Sequence, residues 1–163
     1  MTRRYRRVAA TAATVLGLGR IPHAPGTACS LAAVITLSGT RTTPLLLWTV
    51  LVVVAVLGTW AAETCARAWK KRDPSAVVID EFLGMGLALA LSPGLGPQSA
   101  ATAFILFRLF DILKPPPINH LERLPGGFGI MADDAGAGIA AAMVMWLLHF
   151  LSSSIPALEI LIY

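Results

Sequence analysis

Apolar runs and short polar connectors alternate along this chain. Five apolar runs stand out, at 28–39, 45–62, 77–91, 99–113 and 135–151. Each is long enough for a helix, and none shows the strict two-residue alternation of a half-exposed strand. Pro44 opens the stretch PLLLWTVLVVVAVLGTWAA, which carries no charge and has the ~20-residue length of a membrane-crossing helix. It is neither N-terminal nor followed by a cleavage-type site, so it does not read as a signal peptide. The pattern predicts an all-α fold: a polytopic helical bundle with about five transmembrane or membrane-embedded helices. One domain covers 1–163, with a basic segment at 1–16 and a tail at 152–163. The apolar stretch 155–163 is too short to span.

Composition supports a lipid rather than an aqueous surrounding, because 56% of residues are hydrophobic and only 13% charged. Much of the positive charge is clustered at Arg3, Arg4, Arg6 and Arg7, and again at Arg67, Lys70, Lys71 and Arg72. Such clusters favour the cytoplasmic side of a membrane and its anionic leaflet. Both lie on the cytoplasmic side if the first two apolar runs cross. The turn RTTP at 41–44 and the loop SPGLGP at 92–97 are then external. No aromatic-interleaved basic surface points to nucleic acid. Cys29 and Cys65 lie in or beside apolar runs and are expected as small buried thiols without a disulfide.

This topology puts the acids, Glu63 and Asp73 among them, at one level, the cytoplasmic membrane boundary. Asp80 and Glu81 open the third run, Asp111 closes the fourth, and Asp133 and Asp134 open the fifth. Charged side chains at such depth are costly without partners. Two readings account for them. Arg108 and Asp111, three residues apart on one helical face, form a structural pair; or the acids hold a hard divalent cation, which takes oxygen ligands. In the second reading Asp80, Glu81, Asp111 and Asp134 are the metal ligands, and Asp80, Asp111, Asp133 and Asp134 the catalytic acids. Arg108 and Lys114 then face a phosphate, Arg by its fork and Lys as a point charge.

GLGRIPHAPGTACSL, from Gly17, ends where a helix starts. Thr27 after Gly26 is the expected N-cap, and free N–H groups there suit an anion. Thr27 and Ser30 join the phosphate-binding candidates. Small residues recur at helical spacing as Asp80, Gly84, Ala88 and as Asp134, Gly138, Ala142. Such faces let helices approach closely and would draw Asp80 and Asp134 together.

Four stretches, GLGRIPHAPGTACS, DPSAVVIDEFLG, FRLFDILKPPPI and GGFGIMADDAGAG, resemble the signatures of the phosphatidylglycerophosphatase A family, in the same order. One departure is Cys29, where the family pattern carries glycine before Ser30. The resemblance implies a Mg²⁺-dependent, multi-pass enzyme of the bacterial inner membrane, its active site facing the cytoplasm. Its substrate would be an anionic phospholipid, phosphatidylglycerophosphate, hydrolysed to phosphatidylglycerol and inorganic phosphate. The chain lacks a DxDx nucleophile motif, a CxxxxxR loop and a histidine-rich phosphatase pattern. In-line attack by water and a transient aspartyl phosphate both stay open. Two other readings compete. A CDP-alcohol phosphotransferase would carry a dense DGxxAR-type acid string, absent here. A small cation or lipid transporter would place its carboxylates near mid-membrane rather than at one boundary.

Overall fold

The computed structural model describes residues 2–152, so the tail at 155–163 lies outside it. Seven α-helices follow one another: α1 Arg3–Ala13, α2 Pro25–Leu37, α3 Pro44–Trp69, α4 Ile79–Leu91, α5 Pro97–Leu113, α6 Ile118–Leu121 and α7 Gly126–Ser152. Proline stands in the first turn of α2, α3 and α5, where its fixed φ suits a helix start and its missing N–H costs nothing. No strand occurs among the described residues.

Two helices, rather than five, reach the length and hydropathy of a full crossing: α3 with 26 residues and α7 with 27. The helices α2, α4 and α5 form where the pattern placed them, but have 13, 13 and 17 residues. The ~20-residue rule counts apolar length, and these runs are cut short by Ser38, Ser92 and Lys114. In the other direction, α3 runs seven residues past the expected end at 62, through Glu63 and Arg67. The start of α7 is nine residues earlier than the apolar run at 135.

Helix α4 packs against α2, α3, α5 and α7, and so forms the centre of the bundle. Its neighbours present mostly small side chains: Ala33, Ala61, Ala103, Ala137 and Ala141 are fully buried. Large apolar side chains point outward instead, among them Leu45, Ile35 and Phe150 at 84%, 72% and 76% exposure. Such a surface matches hydrocarbon and not water.

The two ends of the bundle are tied differently. At one end the buried Arg41 donates from Nη2 to the carbonyls of Ser92 (3.4 Å) and Gly94, pinning together the turns after α2 and α4. At the other end the Val78 N–H donates to Ala13 O at 2.9 Å and Arg72 Nη2 to Glu122 O at 2.8 Å. The basic N-terminal segment is a helix, which the hydrophobic pattern did not predict. Its inner face is alanine, Ala9 and Ala13, and Tyr5 meets Trp60 of α3 edge-on at 5.2 Å.

Candidate active site

Asp80 and Glu81 lie in the first turn of α4, where the positive end of the helix dipole favours acids. Asp133 and Asp134 were expected at a helix start and instead lie in the third turn of α7. The reason is Gly126 at φ +61° together with Glu63, whose Oε2 accepts the Gly127 N–H at 2.6 Å. That bond satisfies one of the free N–H groups at the new start. A Cβ on Gly127 would stand 2.2 Å from Thr59 O, so the glycine lets α7 begin against α3.

The small-residue faces do what their spacing suggested. A Cβ on Gly84 would stand 2.4 Å from Asp134 O, and one on Gly138 would stand 2.1 Å from Gly84 O. The α4 and α7 backbones therefore touch, and Asp80 and Asp134 sit one turn before the contact on each helix. Asp80, Glu81 and Asp134 each bring a carboxylate oxygen within 4.8 Å of the other two.

These three acids form no ion pair, although Arg108 acts on Glu81 and Lys114 on Asp134 from a greater distance. Of the ion pairs among the described residues, none reaches Asp80, Glu81 or Asp134. Asp80 Oδ1, Glu81 Oε2 and Asp134 Oδ2 are buried without a hydrogen-bond partner. Burying several unpaired carboxylates together is strongly unfavourable. A hard divalent cation offsets that cost, and a few carboxylates with room for water and phosphate is the donor set Mg²⁺ accepts. The residues present fit such an ion.

Arg108 and Asp111 pair at 2.6 Å through Nη1 and Oδ2, as their three-residue spacing allows. Arg108 Nε is nevertheless buried and unpartnered. Asp111 also feels the charges of Glu81 and Asp134, so it flanks the three-acid cluster with one oxygen committed to Arg108. Lys114, the left-handed residue closing α5, bonds Asp133 Oδ2 and lies 3.9 Å from Glu122. Burial works against the Lys114 charge, but the bond to Asp133 and the charges of Asp133, Asp134 and Glu122 outweigh it and push its pKa up. Asp133 Oδ1 stays unpartnered.

The opening of α2 leans over the same acids. A Cβ on Gly26 would meet Glu81 Oε1 at 2.2 Å and Arg108 Nη1 at 3.4 Å, so only glycine fits there without displacing Glu81. Thr27 is not the N-cap: Ala24 is, at φ +47°, and Pro25 takes the first helical position, for which its ring is preset. Thr27 is half-buried. Ser30 is fully buried and donates to Gly26 O at 2.9 Å. Cys29 Sγ donates to Val78 O at 2.9 Å, which ties α2 to the residue that precedes α4. A small hydrogen-bonding side chain is thus accommodated where the sequence departs from the family pattern.

Two further acids that the topology puts at this level border the site. Glu63 anchors α7 and pairs with Arg67. Asp73 is an electrostatic neighbour of Asp80. What the sequence did not show is the role of Glu63 in starting α7.

The family model for phosphatidylglycerophosphatase A matches residues 11–149. A Haemophilus influenzae protein named phosphatidylglycerophosphatase A is 40% identical over 139 residues, covering 82% of this chain and 84% of that protein. A Bacteroides thetaiotaomicron protein named "Putative phosphatidylinositol-3-phosphatase" is 39% identical over 134 residues, covering 77% and 84%. A third, from Escherichia coli, is named phosphatidylglycerophosphatase A and is 34% identical over 132 residues, covering 80% and 77%. No solved structure matches the chain.

Proposed function

The chain belongs to the phosphatidylglycerophosphatase A family, and from that premise we propose how its acid cluster serves the reaction. The protein is a lipid phosphatase that hydrolyses phosphatidylglycerophosphate to phosphatidylglycerol and inorganic phosphate. The observation that carries the site assignment is the set of three acids without an ion pair, Asp80 and Asp134 buried and Glu81 half-buried, each with an unpartnered buried oxygen, beside an arginine with a free edge.

In this reading Asp80, Glu81 and Asp134, joined by Asp111, are the residues that would hold Mg²⁺. The ion would supply charge neutralisation and polarisation of a phosphoryl oxygen. Arg108 donates from its free Nε to another phosphate oxygen, while Asp111 fixes the guanidinium plane. Lys114 adds positive charge and holds Asp133 by one oxygen. Asp133 Oδ1 is then the base that takes a proton from the attacking water. A new P–O bond forms to water, the ester P–O bond breaks, and the departing alcohol oxygen takes up the proton that Asp133 received from the water. Thr27, half-buried in the first turn of α2, is the remaining phosphate contact in this reading, whereas the buried Ser30 hydroxyl is spent on Gly26 O.

The protein works as a multi-pass protein of the bacterial inner membrane. The long helices α3 and α7 cross, and α2, α4 and α5 complete the bundle between them. Non-helical backbone at membrane depth is tolerated where protein covers it, as it covers both ends of the enclosed α4. The test is phosphate release by the purified protein in detergent. Phosphatidylglycerophosphate should release phosphate with Mg²⁺, lose it after chelation, and regain it with Mg²⁺ but poorly with the larger Ca²⁺. Phosphatidylinositol 3-phosphate, assayed beside it, should be cleaved more slowly. Full activity after thorough chelation would overturn the metal assignment.

A further inference from the structure

We infer that the groove between α2 and α5 holds one acyl chain of the phospholipid whose phosphate lies at Arg108. The inference rests on the phosphatase reading and deepens it, from headgroup to tail. The groove has a volume of about 460 Å³ and an almost wholly apolar lining. Leu31, Ile35 and Ser38 form its α2 wall, and Pro97, Ala101 and Ile105 its α5 wall.

Both walls are single helical stripes that end at the site. On α5 the series Pro97, Ala101, Ile105 continues at helical spacing to Arg108. On α2 the series Ser38, Ile35, Leu31 continues to Thr27, next to Gly26, whose added Cβ would be 3.4 Å from Arg108 Nη1. The stripes therefore converge where the phosphate is to be bound. Leu31, Ile35 and Ile105 are 50%, 72% and 64% exposed, so the groove is open along its side. Eleven residues separate Pro97 from Arg108, ~16 Å of helix, about one leaflet of a ~30 Å hydrocarbon core. A chain anchored by its headgroup at Arg108 and lying along this groove stays in its own leaflet. Three further apolar grooves, of about 790, 330 and 230 Å³, have no lining residue on α5, the helix that carries Arg108.

The test compares dioleoyl and dihexanoyl phosphatidylglycerophosphate as substrates for the full chain. Ala101 is exposed, so Ala101→Trp fills the groove without entering the core, and Ile35→Trp does so from the other wall. Each should lower the ratio of the dioleoyl rate to the dihexanoyl rate at least tenfold. Val56→Trp, on the exposed face of α3, should leave that ratio within twofold of wild type. In parallel, a phosphatidylglycerophosphate with a diazirine midway along one acyl chain should label wild type within 31–38 and 97–105. The same probe without phosphates, a diacylglycerol, should label there far less. Unchanged ratios in both groove variants, or labelling centred on another groove, would overturn the inference. If wild type hydrolyses neither substrate, the phosphatase reading fails, and the labelling alone decides the groove: phosphate-dependent labelling supports it, and labelling indifferent to phosphate removes it.

Discussion

Asp111 and Asp134 carry the same functional group, yet the same substitution should affect them differently. Asp134 forms no ion pair and shares its space with Asp80 and Glu81. Asp134→Asn therefore removes repulsion as well as charge. Hydrolysis should fall at least a hundredfold while the melting temperature in detergent stays level or rises, and Asp80→Asn should behave alike. Asp111 is bonded to Arg108 at 2.6 Å, with side chains only 12% and 18% exposed. Asp111→Asn should cost about 2 kcal/mol, since a hydrogen bond between charged groups contributes about 1.5–3 kcal/mol, and it should lose activity as well. Phosphate release and thermal melting, measured together on the three variants, separate the behaviours. Destabilised Asp80 and Asp134 variants with full specific activity in the folded fraction would make those acids structural. All of these residues were legible in the sequence as acids at one level. So were the approach of Asp80 to Asp134 and the Arg108–Asp111 pair, because both follow from spacing along one helix face. The Lys114–Asp133 bond was not, because it joins side chains of two helices whose relative placement the spacing does not give.

At the scale of elements, the glycine contact between α4 and α7 sets the site's width. Gly138→Ala puts a methyl group 2.1 Å from Gly84 O, and backbone, unlike a flexible side chain, cannot swing aside. The helices must separate, which pulls Asp134 from Asp80. We expect a loss of stability of about 1–3 kcal/mol, the usual cost of overpacking, together with weaker Mg²⁺ dependence of phosphate release. Gly136→Ala is the comparison, since its added Cβ would meet only the flexible side chain of Leu121 at 2.6 Å and Ile118 at 3.8 Å. Equal effects at the two positions would detach the contact from the site. The close packing of these helices was visible in the spacing of Asp80, Gly84 and Ala88 against Asp134, Gly138 and Ala142, because small residues at helical period have a direct geometric consequence. The start of α7 was not visible. Hydrophobic periodicity marks where a helix is apolar, and the first turns of α7, from Gly126, are held by Glu63 of another helix. Alanine likewise hid α1, whose inner face offers no large side chain to count.

Across the whole molecule, charge separates the two ends of the bundle. The acids, Arg67, Arg72 and Lys114 gather at one end, with Arg41 bridging two turns at the other. The positive-inside rule then predicts the acid end on the cytoplasmic side. This orientation is testable with cysteine reporters. Cys29→Ser keeps a donor for Val78 O and Cys65→Ala removes the second thiol, leaving a background without cysteine. Ser75, exposed in the loop before α4, and Thr42, exposed in the turn before α3, are then replaced by cysteine one at a time. In intact cells a membrane-impermeant maleimide should modify the Thr42→Cys protein and spare the Ser75→Cys protein, and after lysis it should modify both. The reverse pattern would invert the protein and place its acids on the outer face. Labelling of both in intact cells would mean that α3 does not separate its own two ends. That result would carry furthest, because a 26-residue helix whose most apolar 18-residue stretch has a mean hydropathy of 2.3 lies between the two reporters. A helix of that length spans ~39 Å, more than a bilayer's ~30 Å core, and its apolar outer face has no counterpart in water. The acids are placed at the membrane boundary only if α3 crosses, so this one helix ties the hydrophobic pattern of the chain to the position of its chemistry.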